Sequence, residues 1–469
     1  MAAKYKDEIL GTMSIGKLLA KLSIPAMIGM IVNALYNVVD TIYLGRGVGP
    51  LAIGGLTIAF PFQMIVMAIG MTIGVGAASV ISRNLGSGDR DNAYHAAGTA
   101  LTVAVLLGLL MSGIGVIFLD PLLRLFGASD TLLAYARAYL SVILFGTPLI
   151  SFTMASNNIV RSEGRAMAAM ISMLIGTVMN IILDPVFIFV FHMGIKGAAV
   201  ATVISQGLSF IYLLLFFITG QSSLKIKIRH LVPDFTLLKE IVLIGLPAFI
   251  RQAGGSVLAV ILNNVLMVYG GDLAISSYGV INKLLMFTLM PLFGIVQGFQ
   301  PIAGYNYGAR KFDRVQHSIK VSVLIATIMS TLSFLVMMLL PEFLIRLFTT
   351  DKTLIGLSVN AIRRVVLFIP LIGIQIVGAA FFQAVGKALP SLILGMTRQI
   401  IFLIPLVLVV PRFLGLNGVW LSFPGADIGS VIVTLFWLLK EMKALGILHV
   451  EHTAREEAVK AAMVLEKSE

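Results

Sequence analysis

The chain has 469 residues, of which 58% are hydrophobic and only 12% charged, about half the roughly 25% charged content of a soluble domain. With a mean hydropathy of +0.99 and about 20 residues per bilayer-spanning helix, a dozen spans and their loops use up the length, which excludes a large catalytic or nucleic-acid-binding domain outside the bilayer. The net charge of +12 reports topology before it reports a nucleic-acid partner, and the absence of Cys excludes disulfides, thiolate metal sites and cysteine nucleophiles.

Met1 to Lys21 is polar and mixed in charge and lacks the pattern of a cleavable signal, so the first apolar run is expected to be an internal span. Apolar runs broken by Gly, Pro and charge predict spans at 18–44, 52–82, 94–118, 133–156, 166–191 and 197–219. A second set follows at 240–268, 273–303, 318–340, 356–384, 389–411 and 416–439. Segments this apolar must pair every backbone N–H and C=O internally, which selects helices. The period-two alternation of a lipid-facing barrel is missing. The predicted class is therefore an all-α membrane protein of twelve transmembrane helices.

Lys and Arg are unevenly shared between the two sides: 22 fall with the termini and the loops after even-numbered spans. Six (Arg46, Arg124, Lys196, Arg346, Lys352 and Arg412) fall opposite. The positive-inside rule then places both termini in the cytoplasm of a multi-pass plasma (inner) membrane protein.

The chain also repeats at an offset of 222 residues. Pro25-Ala26 matches Pro247-Ala248, Asn84, Gly86 and Asp91 match Asn306, Gly308 and Asp313, and Arg124-Leu125-Phe126 matches Arg346-Leu347-Phe348. Six spans per half mean that both halves enter the membrane in the same direction, as two six-helix lobes related by a pseudo-two-fold axis along the membrane normal. Such parallel repeats build secondary transporters. The predicted division is an N-lobe over 1–222, a basic cytoplasmic linker over 223–239, a C-lobe over 240–440 and a polar cytoplasmic tail over 441–469.

An ionised side chain near the bilayer centre costs at least about 2.5–3.5 kcal/mol, so an intramembrane acid is read first as functional. Asp40 lies deep in span 1, after Tyr36 and Asn37, and Asp184 lies deep in span 5. Asn180 and Asp184 are four apart and share a helix face, as do Ala198 and Thr202 in span 6. Pro185 has no N–H, which frees the Ile181 carbonyl. Carboxylates, an amide oxygen, a hydroxyl and loose carbonyls suit a hard cation such as Na+, at Asp40, Asn180, Asp184 and Thr202; without His or Cys, a transition metal is disfavoured. The offset carries Asp40 to Leu262, Asn180 to Phe402 and Asp184 to Leu406, so the acidic cluster belongs to the first half alone. A structural role common to both halves would have been kept in both. Tyr36, Asn37, Gln252, Lys283 and Gln375 are candidates for lining a substrate cavity. Asp427, after Pro424-Gly425, is a weaker one.

In order along the chain, Leu22-Ser-Ile-Pro25, Leu35-Tyr36-Asn37 before Asp40, Gly74-Val-Gly76, Arg161-Ser-Glu-Gly164, Asn180 to Pro185 and Gly197-Ala198-Ala199 resemble the MATE (multidrug and toxic compound extrusion) transporters. The resemblance implies two lobes forming a V-shaped cavity, and export of hydrophobic, often cationic compounds driven by Na+ or H+. It also implies an N-lobe cation site at Asp40, Asn180, Asp184, Ala198 (through its backbone) and Thr202. The branch with added acids in spans 7 and 10 is not matched, since Arg251, Gln252 and Gln375 stand there.

The expectation is thus an antiporter and not an enzyme, acting as a monomer in contact with membrane lipid, with a small-molecule substrate, no nucleic acid and no cofactor beyond the coupling ion. Three rivals are weighed, of which a channel fits the two-lobe duplication with its one-sided acidic site less well than a carrier does. A flippase for lipid-linked precursors or polyisoprenoids would use cationic cavity residues such as Arg251, Lys283 and Arg398. An intramembrane aspartyl protease is suggested by Gly86-Ser-Gly88-Asp89, but that GxGD string falls in a short turn and reads better as a helix stop.

Overall fold

The computed structural model describes residues 9–466; the side chains of some residues, Asn37 and Arg46 among them, lie outside what it describes. Among the described residues every regular element is helical. The first six membrane helices are α1 (Ile15–Gly47), α2 (Pro50–Ser87), α3 (Arg90–Ile117), α4 (Asp130–Ser162), α5 (Ala166–Pro185) and α6 (Gly194–Ile218). They are followed by α7 (Phe235–Gly308), α8 (Phe312–Leu339), α9 (Lys352–Val365), α10 (Ile372–Ala384), α11 (Ala388–Met396) and α12 (Leu416–Glu466).

Nine helices among the described residues are long and apolar enough to cross a bilayer, and the bent pair Lys352–Val365 with Ile369–Ala384 supplies another. The 74-residue α7 holds two expected spans joined at Gly271, whose φ of 63° takes it out of helical geometry. Its counterpart 222 positions earlier, Gly49, has φ 106° and separates α1 from α2. Only glycine adopts this backbone region without a Cβ penalty, so one break serves both halves. The twelfth expected span opens α12. The protein is a multi-pass helical membrane protein.

Packing divides the chain into two compact units. Among the described residues, Lys21–Ile81 and Arg90–Gln252 belong to the first; residues 9–20, Ser82–Asp89 and the chain from Ala253 onward belong to the second. The first unit thus runs through the linker and into the start of α7, as far as Gln252. In the first unit a core of Ala52, Phe62, Leu140, Leu144, Ile188 and Ala199 joins α2, α4, α6 and the turn after α5.

The linker is clamped to the first unit along its length. Buried Glu163 accepts hydrogen bonds from Ser222 Oγ at 2.9 Å and from Ser223 N and Oγ at 2.6 Å. Farther along, Thr102 Oγ1 donates to the Leu231 carbonyl and Asp234 N donates to Thr99 Oγ1. Between these anchors Arg229 pairs with Asp91 at 2.5 Å beside buried His230. Asp91, His95 and His230 place their ligand atoms within 4.8 Å of one another. Those atoms are already engaged, because His230 Nδ1 accepts from the Lys227 N–H and Nε2 faces the Arg229 guanidinium. A metal there would have to displace a fixed cation, so the cluster reads as a fastening.

In the second unit, Lys387 Nζ pairs with Glu441 at 2.5 Å and Gln316 Nε2 donates to the Met442 carbonyl at 2.8 Å. The segment expected as a polar tail from 441 is, through residue 466, the continuation of α12.

Candidate cation-binding site

The site is assembled inside the first unit. Pro25 and Gly47 bracket the part of α1 that carries Asp40, whose side chain is buried although it is an acid in an apolar helix. On α5, Asn180 Nδ2 donates to Asp184 Oδ1 at 3.1 Å, one helical turn apart. Beyond Asp184 the helix cannot continue normally. Pro185 supplies no N–H, and Val186–Val190 winds as a π-helix in which the Phe191 N–H reaches back five residues to the Val186 carbonyl at 2.9 Å. Insertions of this kind recur at functional sites. Gly197 on α6 lets that turn come close, since a Cβ there would lie 2.8 Å from the Phe187 carbonyl oxygen.

Asp40 and Asp184 lie within hydrogen-bonding reach of each other. Asp40 Oδ1, Asp184 Oδ2 and Asn180 Oδ1 are buried and accept from no described donor. Thr202 Oγ1 donates to the Ala198 carbonyl at 3.0 Å, and the Tyr36 and Tyr139 side chains lie near it. Gln63 Nε2 donates to the Tyr139 hydroxyl at 3.1 Å. The result is a pocket of oxygen atoms, two of them on neighbouring carboxyls, with a single amide donor for the pair. A buried acceptor set this poorly supplied with donors can hold a proton between the acids or a hard cation among the oxygens.

The second half provides an internal comparison. At the equivalent positions Leu262 is fully buried, a Cβ on Gly429 would lie 2.9 Å from the Phe402 ring, and one on Gly425 would lie 3.1 Å from Leu406. What is an oxygen pocket in one half is an ordinary apolar helix contact in the other.

The remaining candidates are dispersed. The Asn37 side chain lies outside the described residues. Gln252 Nε2 sits 3.5 Å from Met64 Sδ in the first unit. Lys283 is exposed, 5.9 Å over the Phe348 ring, and Gln375 is buried with its amide on the Leu394 carbonyl at 3.1 Å, both within the second unit. Asp427 is buried and held by Arg398 Nε at 2.7 Å, forming an ion pair inside the second unit. Tyr139 and Gln63 were missed by sequence reasoning because neither is a charge or part of a spacing motif. The repeat could have flagged them, since their counterparts are Ala361 and Leu285, the same one-sided polarity that marks Asp40.

A family model described as MatE matches residues 25–186 and again 247–409, so the same pattern fits once in each half. The chain belongs to the MatE family. This MatE chain is 27% identical over 423 residues to the multidrug export protein MepA of Staphylococcus haemolyticus (strain JCSC1435), covering 90% of this chain and 93% of the relative. Its fold is similar to a solved structure described as the outward-facing conformation of a multidrug resistance MATE family transporter of the MOP superfamily. The TM-score there is 0.89 at 28% identity, over 94% of this chain and 98% of that one. A MOP superfamily transporter from Pyrococcus furiosus, described by the reverse polarity of its binding pocket, matches with a TM-score of 0.88 at 29% identity, over 94% of this chain and 98% of that one.

Proposed function

We propose that this MatE protein is a cation-coupled antiporter that exports hydrophobic, often cationic compounds by alternating access, with Na+ or H+ as the coupling ion. The observation that supports this reading is the pairing of Asp40 with Asp184, in a buried pocket that offers the two carboxyls one amide donor. Two carboxylates so close cannot both remain bare, and one proton or one cation relieves them. An ion entering from outside neutralises the pair and allows α1 to repack against α5, and the repacking loosens the grip on bound substrate. Each inward positive charge supplies about 2.3 kcal/mol per 100 mV of membrane potential, so no enzyme chemistry is required. The staphylococcal relative is named for multidrug export, which supports the substrate class. The surplus of Lys and Arg on the side of the termini supports a plasma-membrane orientation with both termini in the cytoplasm.

The flippase alternative requires uncommitted cationic side chains. Arg398 is neutralised by Asp427 and Lys283 lies over Phe348, so no comparable observation favours it.

The test is drug accumulation in cells lacking their own exporters. Asp40→Asn should insert and fold as the parent does, yet leave intracellular drug at the level of cells without the transporter. Normal export by that variant would end the proposal.

A further inference from the structure

We propose that the segment joining α6 to α7 is an interfacial anchor that lies in an anionic lipid leaflet. Residues 225–229 read Lys-Ile-Lys-Ile-Arg and are followed by His-Leu-Val-Pro-Asp-Phe. The fold buries His230 but leaves the large apolar side chains around it outside: Ile228 is 86% exposed, Val232 68% and Phe235 82%. A fixed backbone holds them there. Glu163 ties down Ser222 and Ser223 at one end of the segment, and Thr102 and Thr99 bond to Leu231 and Asp234 at the other. The apolar side chains therefore face outward from a clamped chain.

What covers them follows from α3. Asp91, His95, Gly98 and Thr102 succeed one another at spacings of three and four, so they form one stripe of that helix. The segment lies on this stripe: Arg229 pairs with Asp91, a Cβ on Gly98 would collide with the His230 carbonyl, and Thr102 bonds to Leu231. The stripe continues through Leu106, Leu109 and Gly113. There Leu106 and Leu109 are each 53% exposed, and a Cβ on Gly113 would meet nothing within 4 Å. On a helix apolar enough to span a bilayer, that bare continuation faces lipid. Leu106 is one turn past Thr102, about 6 Å along the axis, which puts the Leu231–Val232 end of the segment at the edge of the acyl chains.

Charge selects the kind of lipid. Arg229 is spent on Asp91, and the Asp234 carboxylate is turned to the start of α7, where it accepts from the N–H groups of Thr236 and Leu237 at 2.7 and 3.0 Å. Lys239 and Glu240, which follow in α7, offset each other in charge. Lys225 and Lys227 are exposed and form no ion pair with a described residue. Two ammonium groups thus stand beside apolar side chains at the membrane boundary, the combination that holds a segment in the interface and favours anionic headgroups.

The chain contains no cysteine, so Val232→Cys in the full-length protein carries an environment-sensitive fluorophore at a single place. Labelled protein is placed in nanodiscs of phosphatidylcholine with phosphatidylglycerol, with and without a lipid bearing a spin-label quencher near the headgroup end of its acyl chain. Ser87→Cys, in the exposed turn between α2 and α3, is the control. Lipid quenching at 232 should exceed that at 87 several-fold. Native mass spectrometry of the unlabelled protein then compares retention of phosphatidylglycerol with that of phosphatidylcholine. A lysine beside an anionic surface is worth about five-fold in binding, so the double variant Lys225→Gln, Lys227→Gln should lower the preference for phosphatidylglycerol by about five-fold or more. Its melting midpoint should stay at the parent's, because both side chains are exposed. A label at 232 that lipid quenches no more than the one at 87 would overturn the anchor. So would a parent without preference for phosphatidylglycerol, or a preference that the double variant leaves unchanged. Shielding of the label from aqueous acrylamide without lipid quenching would also overturn it, and would give the face to a second copy of the chain.

Discussion

Asn180 and Asp184 share one hydrogen bond, 3.1 Å long, across a single turn of α5, and the far oxygen of the same aspartate is buried with no donor. The amide therefore orients the carboxyl without satisfying it. If Asp184 existed for stability, its replacement by the isosteric amide would weaken the fold. Its unsupplied oxygen implies the reverse, because a buried acceptor without a donor is destabilising. Asp184→Asn should raise or preserve the thermal midpoint of the purified protein while lowering drug efflux at least ten-fold. A dye-based melt and an efflux assay on the same preparation check both halves of that statement.

Asp427 and Arg398 behave differently. Their pair is buried on the aspartate side and closed by a 2.7 Å hydrogen bond, so removing one partner strands the other. Asp427→Leu should destabilise the protein by about 3–5 kcal/mol, whereas Asp427→Leu combined with Arg398→Met should recover most of the loss. Equal destabilisation in the single and double variants, read from melting midpoints, would contradict a structural ion pair.

The reciprocal crossing of α2 and α7 in the second unit sets a packing limit. A Cβ on Gly86 would collide with the Tyr305 carbonyl, and one on Gly308 with the Arg83 carbonyl; residues 83 and 305, like 86 and 308, are equivalent in the repeat. Backbone cannot step aside as a flexible side chain can. Gly308→Ala should cost about 1–3 kcal/mol, seen as a lower melting midpoint and reduced yield of monodisperse protein. Arg310→Gly, two residues away and at a φ of 56° that suits glycine, should not.

The linker fastening is pH-sensitive. Burial pushes His230 below the usual histidine range; His95 and Arg229 add to the effect, and Asp91 opposes it. Only the neutral ring can accept from the Lys227 N–H at Nδ1. A histidine more easily protonated when unfolded contributes stability that is present above about pH 6.5 and is lost as pH falls toward its lowered folded value. Protection from hydrogen exchange at residues 227–231, corrected for the intrinsic slowing of exchange in acid, should fall between neutral and mildly acidic pH, and His230→Phe should flatten that dependence.

Much of this was legible in the sequence because membrane physics is strict. Apolar length gave the spans, and matched Pro, Asn, Asp and Gly at one offset gave the duplication. The loss of Asp40, Asn180 and Asp184 from the second copy singled out the cluster. Tyr139 joins the site from α4, with Gln63 of α2 donating to its hydroxyl, a meeting of helices that no local spacing encodes. Gln375 is polar, as a cavity residue should be, yet its amide is used on a backbone carbonyl.

The most direct test of cation coupling is the rate at which proteoliposomes move a fluorescent organic cation under an imposed Na+ gradient and, separately, an imposed pH gradient. Transport should follow one of the two gradients, reverse when that gradient is reversed, and vanish in Asp40→Asn and Asp184→Asn. Transport that proceeds at the same rate whichever gradient is applied, or that survives loss of both acids, would contradict a coupling role for the pair.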